Sequence, residues 1–171
     1  MGAAVHNRTV SSKHLDISNK DQLFAADEQR DIALCGRSLA EPGTTRFAKQ
    51  GAHDPTPTPY FILEDLFSNL EFFDNSHLLD VGCGTGRVLS FFIQSNLPGK
   101  ATGVELDPDI AACARTWTRR FENVDVLCDN ALEMPLDAFT HVYLFNPFDT
   151  NVLMQFIMKV EAEARRPLTL V

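Results

Sequence analysis

From Tyr60 to the C-terminus, short apolar runs alternate with stretches of helical periodicity, which predicts an α/β fold: a doubly wound, mostly parallel sheet with helices on both faces. Three observations carry this expectation. The runs HLLDVG, ATGVELD, VDVLCD and HVYLF have the length and composition of buried strands. Between them lie segments whose apolar residues recur every three or four positions. The first strand-to-helix junction, LLDVGCGTGR, carries Gly82, Gly84 and Gly86 at alternate positions, a pattern for a turn that comes close to another group.

Each element follows in order. Residues 1–50 read as an N-terminal appendage, mobile at its start, with one helix over about residues 21–40 that Pro42 and Gly43 end. Residues 51–171 form the domain proper. Its first stretch, HDPTPTPY, places prolines at 55, 57 and 59 and is extended. YFILEDLFSNLEFF then sets Leu63, Leu66, Phe67 and Leu70 on one helical face. The strand HLLDVG feeds a helix in TGRVLSFFIQS, closed by NLPG. The strand ATGVELD leads to the helix PDIAACARTWTRRF, with Asp107 as N-cap and Pro108 at its first position. Ile110, Cys113, Ala114, Trp117 and Phe121 face the sheet from it, so Trp117 is a core residue. VDVLCD and HVYLF are the third and fourth strands. The helix TNVLMQFIMKVEAEA follows, with Met154 and Met158 as packing residues, and PLTLV is a fifth strand.

Composition bounds the function. A chain of 171 residues, 44% hydrophobic and 22% charged, suits one soluble domain. No apolar run approaches the roughly 20 residues of a membrane span. The start, MGAAVHNRTV, lacks an apolar signal core and has His6 where a myristoylation signal wants Ser or Thr, so the expectation is a cytoplasmic protein without a membrane partner. Cys35, Cys83, Cys113 and Cys128 have no C-x-x-C spacing and read as buried free thiols. His53, His77 and His141 show no ligand spacing either, and His141 reads as structural, so no metal is expected. The net charge of -8 arises entirely in residues 61–171, where 8 basic side chains oppose 16 acidic ones, and it argues against DNA or RNA as partner.

The glycine turn indicates the ligand. A dinucleotide fingerprint read from Gly82 needs glycine at position 87, and Arg87 stands there; read from Gly84 it needs one at position 89, which is Leu89. The spacing Asp80, Gly82, Gly84, Gly86 instead resembles the D/E-x-G-x-G-x-G of class I (Rossmann-like) S-adenosylmethionine-dependent methyltransferases, including uncharacterised bacterial members, and the resemblance runs from Leu78 to Phe148. It implies S-adenosyl-L-methionine as cofactor and S-adenosyl-L-homocysteine as product. It also implies that Gly82, Cys83, Gly84 and Gly86 lie against the methionine and ribose, that Asp80 orients the ammonium end, and that Glu105, with Leu106 beside it, holds the ribose. Asp129 and Asn130 would read the adenine. Taken alone, an acid at a strand end is also a solvated loop residue or a helix cap.

LFNPFDT resembles the [D/N]-P-P-[F/Y] of amino- and amide-directed members, one proline short, through Asn146, Pro147 and Phe148. The resemblance implies transfer to nitrogen, with Asn146 accepting hydrogen bonds from the target and Phe148 packing on it; the alternative is a plain Asn-Pro turn with Phe148 in the core. DPTPTPYF is similar to a segment that folds over the cofactor in some class I families, among them the non-SET histone-lysine methyltransferases. By that likeness Thr56, Thr58 and Tyr60 cap the methionine end or line the acceptor channel, whereas a stiff linker is the other reading. Family members usually end in a further helix and an antiparallel hairpin, and the apparent absence of that hairpin after Val171 raises the expectation of a homodimer or a truncated chain. Methyl transfer to a protein side chain or small amine is the leading function. A non-catalytic module binding S-adenosylmethionine or S-adenosylhomocysteine is the alternative, and a NAD-dependent oxidoreductase a distant one.

Overall fold

Leu78 and Leu79 are neighbours on the central strand, and because successive strand residues face opposite ways, one core cluster grows from each. The computed structural model describes residues 20–40 and 43–171. In chain order these form α1 (Lys20–Cys35), α2 (Tyr60–Phe67), β1 (His77–Val81), α3 (Arg87–Gln94), β2 (Lys100–Glu105), α4 (Pro108–Thr118), β3 (Val124–Cys128), β4 (His141–Leu144), α5 (Thr150–Glu163) and β5 (Thr169–Leu170), with a short 3-10 turn at Ala48–Gln50. The strands lie in the order β3-β2-β1-β4-β5, and every pairing is parallel. After β1 the chain winds outward to β2 and β3, then returns to the other edge of β1 as β4. The winding therefore reverses between β1 and β4, where open α/β sheets bind their ligands.

On the Leu78 face, Tyr60, Leu63 and Phe67 of α2, Phe92 of α3 and Trp117 of α4 pack with Cys35 and Leu39. On the Leu79 face, Val81 and Val104 meet Met134, Leu136 and Phe139 from the loop before β4, and Phe156 and Val160 from α5. The sheet is thus covered on both sides. The α4 cap is as expected: Pro108 opens the helix, and the Asp107 carboxylate accepts from the Asp109 N–H at 3.0 Å. Asp149 does the same for α5, accepting from the Val152 N–H at 3.0 Å.

Several expectations need correction. Helix α1 stops at Cys35 rather than near residue 40, because Gly36 takes φ 75° and the Asp31 carboxylate draws the Leu39 N–H back at 3.0 Å. Pro42, the expected stop, and the expected mobile start over residues 1–19 lie outside the described residues. Helix α2 ends at Phe67, and Leu66 is exposed. Met154 and Met158 are 52% and 64% exposed: the inward stripe of α5 runs through Phe156 and Val160, and the methionines fall on the other side. Of the cysteines, Cys35 and Cys83 are buried, Cys113 is partly covered and Cys128 is exposed; all four are free thiols. Trp117 is buried and donates from Nε1 to the Thr85 carbonyl at 3.0 Å. His141 stacks on Phe72 and bonds Thr140 Oγ1 at 2.8 Å.

The first described segment is tied into the core by charge. Arg87, at the start of α3, donates to Asp31 at 2.6 Å and lies 3.5 Å from Asp27, with all three side chains buried. Tyr60 completes the cluster by donating its hydroxyl to Asp31 at 2.8 Å. Buried ions persist only when paired in this way.

Candidate active site

The tips of β1, β2, β3 and β4 open onto one cavity, roofed by residues 50–58. Its floor is the turn after β1. The N–H groups of Gly82 and Cys83 both donate to the Val104 carbonyl, at 2.9 and 3.0 Å, which bends the chain sharply across β2. Gly82 has φ 70°, and a side-chain carbon there would lie 2.6 Å from Pro147 Cβ. Gly86 has φ 94°, and its side-chain carbon would meet the Trp117 ring at 2.9 Å. The glycines are therefore required by left-handed backbone and by the protein's own packing, not by a ligand alone. Gly82, Cys83 and Gly84 line the cavity; Gly86 faces the core instead.

Asp80 is 3% exposed, lines the cavity, and leaves Oδ2 without a hydrogen-bond partner. Burial raises its carboxyl to about 8, with a further push from Glu105. Glu105 is buried as well, which raises its pKa, but it holds two backbone donors: Gly84 N–H at 3.0 Å and Asp107 N–H at 2.9 Å. Glu105 thus buttresses the glycine turn and the start of α4. Leu106 follows it on the cavity wall. Asp129 and Asn130 also line the cavity, yet both side chains serve their own turn: Asp129 accepts from the Asn130 N–H at 2.7 Å, and Asn130 bonds Leu132 N–H and Glu133 at 3.1 and 3.0 Å.

Across the cavity, Asn146 takes φ 49°, a left-handed conformation that Asn tolerates better than most residues. Phe148 forms an antiparallel bridge with Ala52, and the Pro147 carbonyl accepts from the His53 N–H at 3.1 Å. Asn146, Pro147 and Phe148 all line the cavity. Thr56 and Thr58 line it too; Thr58 is buried and shares a 2.7 Å hydrogen bond with the Tyr143 hydroxyl. Tyr60 does not reach the cavity. Its ring is fully buried and its hydroxyl is bound to Asp31 and Ser90, because α2 begins at this residue and turns it inward.

Two cavity residues are not singled out by sequence. Tyr143 pairs in register with Asp80 across β1 and β4, and a tyrosine within a buried apolar run is a signal that it serves a polar wall. His53 meets Asn146 across 93 positions of chain, so no local spacing reveals it.

The lining carries four carboxyl groups, on Asp54, Asp80, Glu105 and Asp129, and among the described residues its one Lys or Arg is Arg87, already held by Asp27 and Asp31. Such a cavity suits a cationic group and disfavours phosphate. Among the described residues, no group of three His, Cys, Asp or Glu could hold a metal, and no helix is long and apolar enough to cross a membrane.

Residues 78–168 match a family described as a methyltransferase domain. The fold is similar to that of an RNA methyltransferase from Salinibacter ruber in complex with S-adenosyl-L-homocysteine, with 20% identity and a TM-score of 0.54 over 68% of this chain and 72% of that one. It is also similar to a precorrin 8W decarboxylase from Methanobacterium thermoautotrophicum, with 19% identity and a TM-score of 0.51 over 64% of this chain and 59% of that one. A phosphoethanolamine N-methyltransferase from Haemonchus contortus shares 16% identity at a TM-score of 0.48, and the matched part of this chain spans 62% of it but only 22% of that protein. At these identities the likeness is one of fold. No curated protein matches the sequence.

Proposed function

The chain belongs to the methyltransferase-domain family, and on that footing we propose that it transfers a methyl group from S-adenosylmethionine to a nitrogen of a protein side chain or a small molecule. The observation that carries the proposal is the buried, orphaned Oδ2 of Asp80 beside the glycine turn. A carboxyl left without a partner in the interior is accounted for by a cationic donor that arrives with the ligand. In this reading Asp80 takes the ammonium end of the cofactor, and the Gly82–Cys83–Gly84 backbone lies along its methionine portion. The outer lone pairs of Glu105 receive the ribose hydroxyls, with Leu106 beside them, and Asp129 and Asn130 border the adenine.

When bound, the cofactor supplies a methyl carbon already activated by its sulfonium charge. The protein's part is to hold the acceptor in line and to keep its lone pair available. Asn146 offers carbonyl oxygens for a target N–H, Pro147 fixes that turn against Gly82, and Phe148 gives the acceptor an apolar face. The carboxylate-lined cavity, without a free cation among the described residues, favours a neutral or cationic acceptor over a phosphodiester. A cytoplasmic setting belongs to the same proposal.

Calorimetry with S-adenosylhomocysteine and with NAD tests the cofactor: the first should bind and the second should not. Tritiated S-adenosylmethionine incubated with an expression-host lysate tests transfer, with Asn146→Ala expected to lower incorporation about tenfold or more at unchanged S-adenosylhomocysteine affinity. Binding without incorporation would favour a sensing module. No retention of S-adenosylhomocysteine at millimolar levels would remove the proposal altogether.

A further inference from the structure

We propose that His53 is the base that takes the proton from the methyl acceptor, oriented for this by Asn146; the inference rests on the methyltransferase reading above. Residues 51–53 run antiparallel to residues 147–149. Ala52 bridges Phe148, the Asp149 N–H donates to the Gly51 carbonyl at 2.7 Å, and the His53 N–H donates to the Pro147 carbonyl at 3.1 Å. This rung fixes the backbone of His53 on the acceptor side of the cavity, which the residue lines.

The ring is exposed at the rim of the cavity and is held there through one nitrogen. His53 Nδ1 lies 3.1 Å from the Asn146 backbone oxygen and 3.1 Å from its side-chain Oδ1. A backbone carbonyl can only accept, so the hydrogen bond to it places the hydrogen on Nδ1, and the Asn146 side-chain oxygen accepts from the same hydrogen. The neutral ring then keeps its lone pair on Nε2, which makes no hydrogen bond among the described residues. This is how a carbonyl or carboxylate prepares an imidazole as a proton acceptor: one nitrogen is tied, and the other is left basic.

The other titratable groups of the cavity are committed elsewhere, Arg87 to Asp27 and Asp31 and the buried Cys83 thiol to the Gly84 carbonyl at 3.8 Å. Asp54 accepts from the Thr45 N–H at 2.8 Å, and Glu105 holds two backbone donors. Tyr143 is bound to Thr58, and burial pushes its hydroxyl up to about 12. Asp129 holds the Asn130 N–H on the far wall, and Asp80 is the group set aside for the cofactor's own cation.

An acidic cavity attracts an amine in its ammonium form, which has no lone pair. The His53 Nε2 pair bonds the proton, and the electrons of the broken N–H bond remain on the acceptor nitrogen. That pair forms the bond to the methyl carbon, the carbon–sulfur pair stays on sulfur as the thioether, and the proton on His53 passes to water. Asn146, whose two oxygens both face His53, is then a positioning residue as well as a contact for the acceptor.

Two measurements test the assignment on the full chain. Long-range nitrogen–proton correlation spectra of histidine-labelled protein, with the His53 signals identified by their loss in His53→Gln, should show a hydrogen on Nδ1 and none on Nε2; the opposite tautomer would overturn the proposal. In the tritiated transfer assay with lysate acceptor, His53→Ala should lose about 100-fold in kcat, keep S-adenosylhomocysteine affinity within twofold, and regain turnover on addition of free imidazole. Undiminished turnover, or a loss that imidazole does not restore, would sink the role of His53 while leaving the methyltransferase reading intact. A wild-type protein that binds S-adenosylhomocysteine without turnover overturns catalysis by His53, and one that does not bind it overturns the underlying reading as well.

Discussion

Replacing Asp80 by asparagine isolates a strong electrostatic tension in the cavity wall. Burial, with help from Glu105, raises this carboxyl from its ordinary 3.8 to about 8. The unfolded chain at pH 7 ionises Asp80, while the folded protein without ligand keeps it protonated. The gap of about 3 pH units between 3.8 and 7, at 1.36 kcal/mol each, amounts to about 4 kcal/mol of destabilisation. Because the folded pKa lies above the unfolded one in an acid, the folded state binds the extra proton. Stability contributed by this group is thus greatest below pH 4 and declines as pH rises toward 8, by about 1.4 kcal/mol per pH unit. Asparagine keeps the size and stays neutral. Urea unfolding followed by circular dichroism should therefore show Asp80→Asn gaining on the wild type by about 4 kcal/mol between pH 4 and pH 7. Parallel stability curves for the two proteins across that range would refute the reasoning.

Binding should carry the mirror image of that effect: a cationic ligand that pairs with ionised Asp80 must displace its proton, so affinity for S-adenosylhomocysteine should rise up to about pH 8. Calorimetry in buffers of different ionisation enthalpy should detect the released proton in the wild type and none in Asp80→Asn. Arg87→Met leaves Asp27 and Asp31 buried without their cation and should cost about 3–5 kcal/mol in chemical denaturation. Gly82→Ala combines a forbidding φ of 70° with a 2.6 Å approach to Pro147, so it should cost about 1–3 kcal/mol and weaken S-adenosylhomocysteine binding, both measurable on one preparation. Asn146→Ala should reduce methyl incorporation while leaving that affinity unchanged.

The elements that announce themselves in sequence are those built from local periodicity. The strands of the sheet and the Asp107–Pro108 start of α4 are legible because neighbouring residues alone define them. The end of α1 is not, because Gly36 takes the left-handed conformation well before any proline, and the Asp31 side chain then ties down the backbone at Leu39. Within the candidate site the turn after β1 can be recognised, since its glycines and Asp80 lie within seven positions of one another. The opposite wall of the cavity is hidden: Tyr60 is drawn away by Asp31 and Ser90, and His53 gains its place from Asn146, 93 residues further on. Met154 and Met158 share the composition of a packing stripe, and only the orientation of α5 against the sheet shows that Phe156 and Val160 form it.

The rung between Gly51–His53 and Pro147–Asp149 has a consequence for biosynthesis. Its two halves are separated by most of the domain, so the roof has nothing to pair with until Asp149 has left the ribosome. The nascent chain can assemble β1 to β3 with their helices first, but the cavity closes only once the segment through Asp149 has emerged.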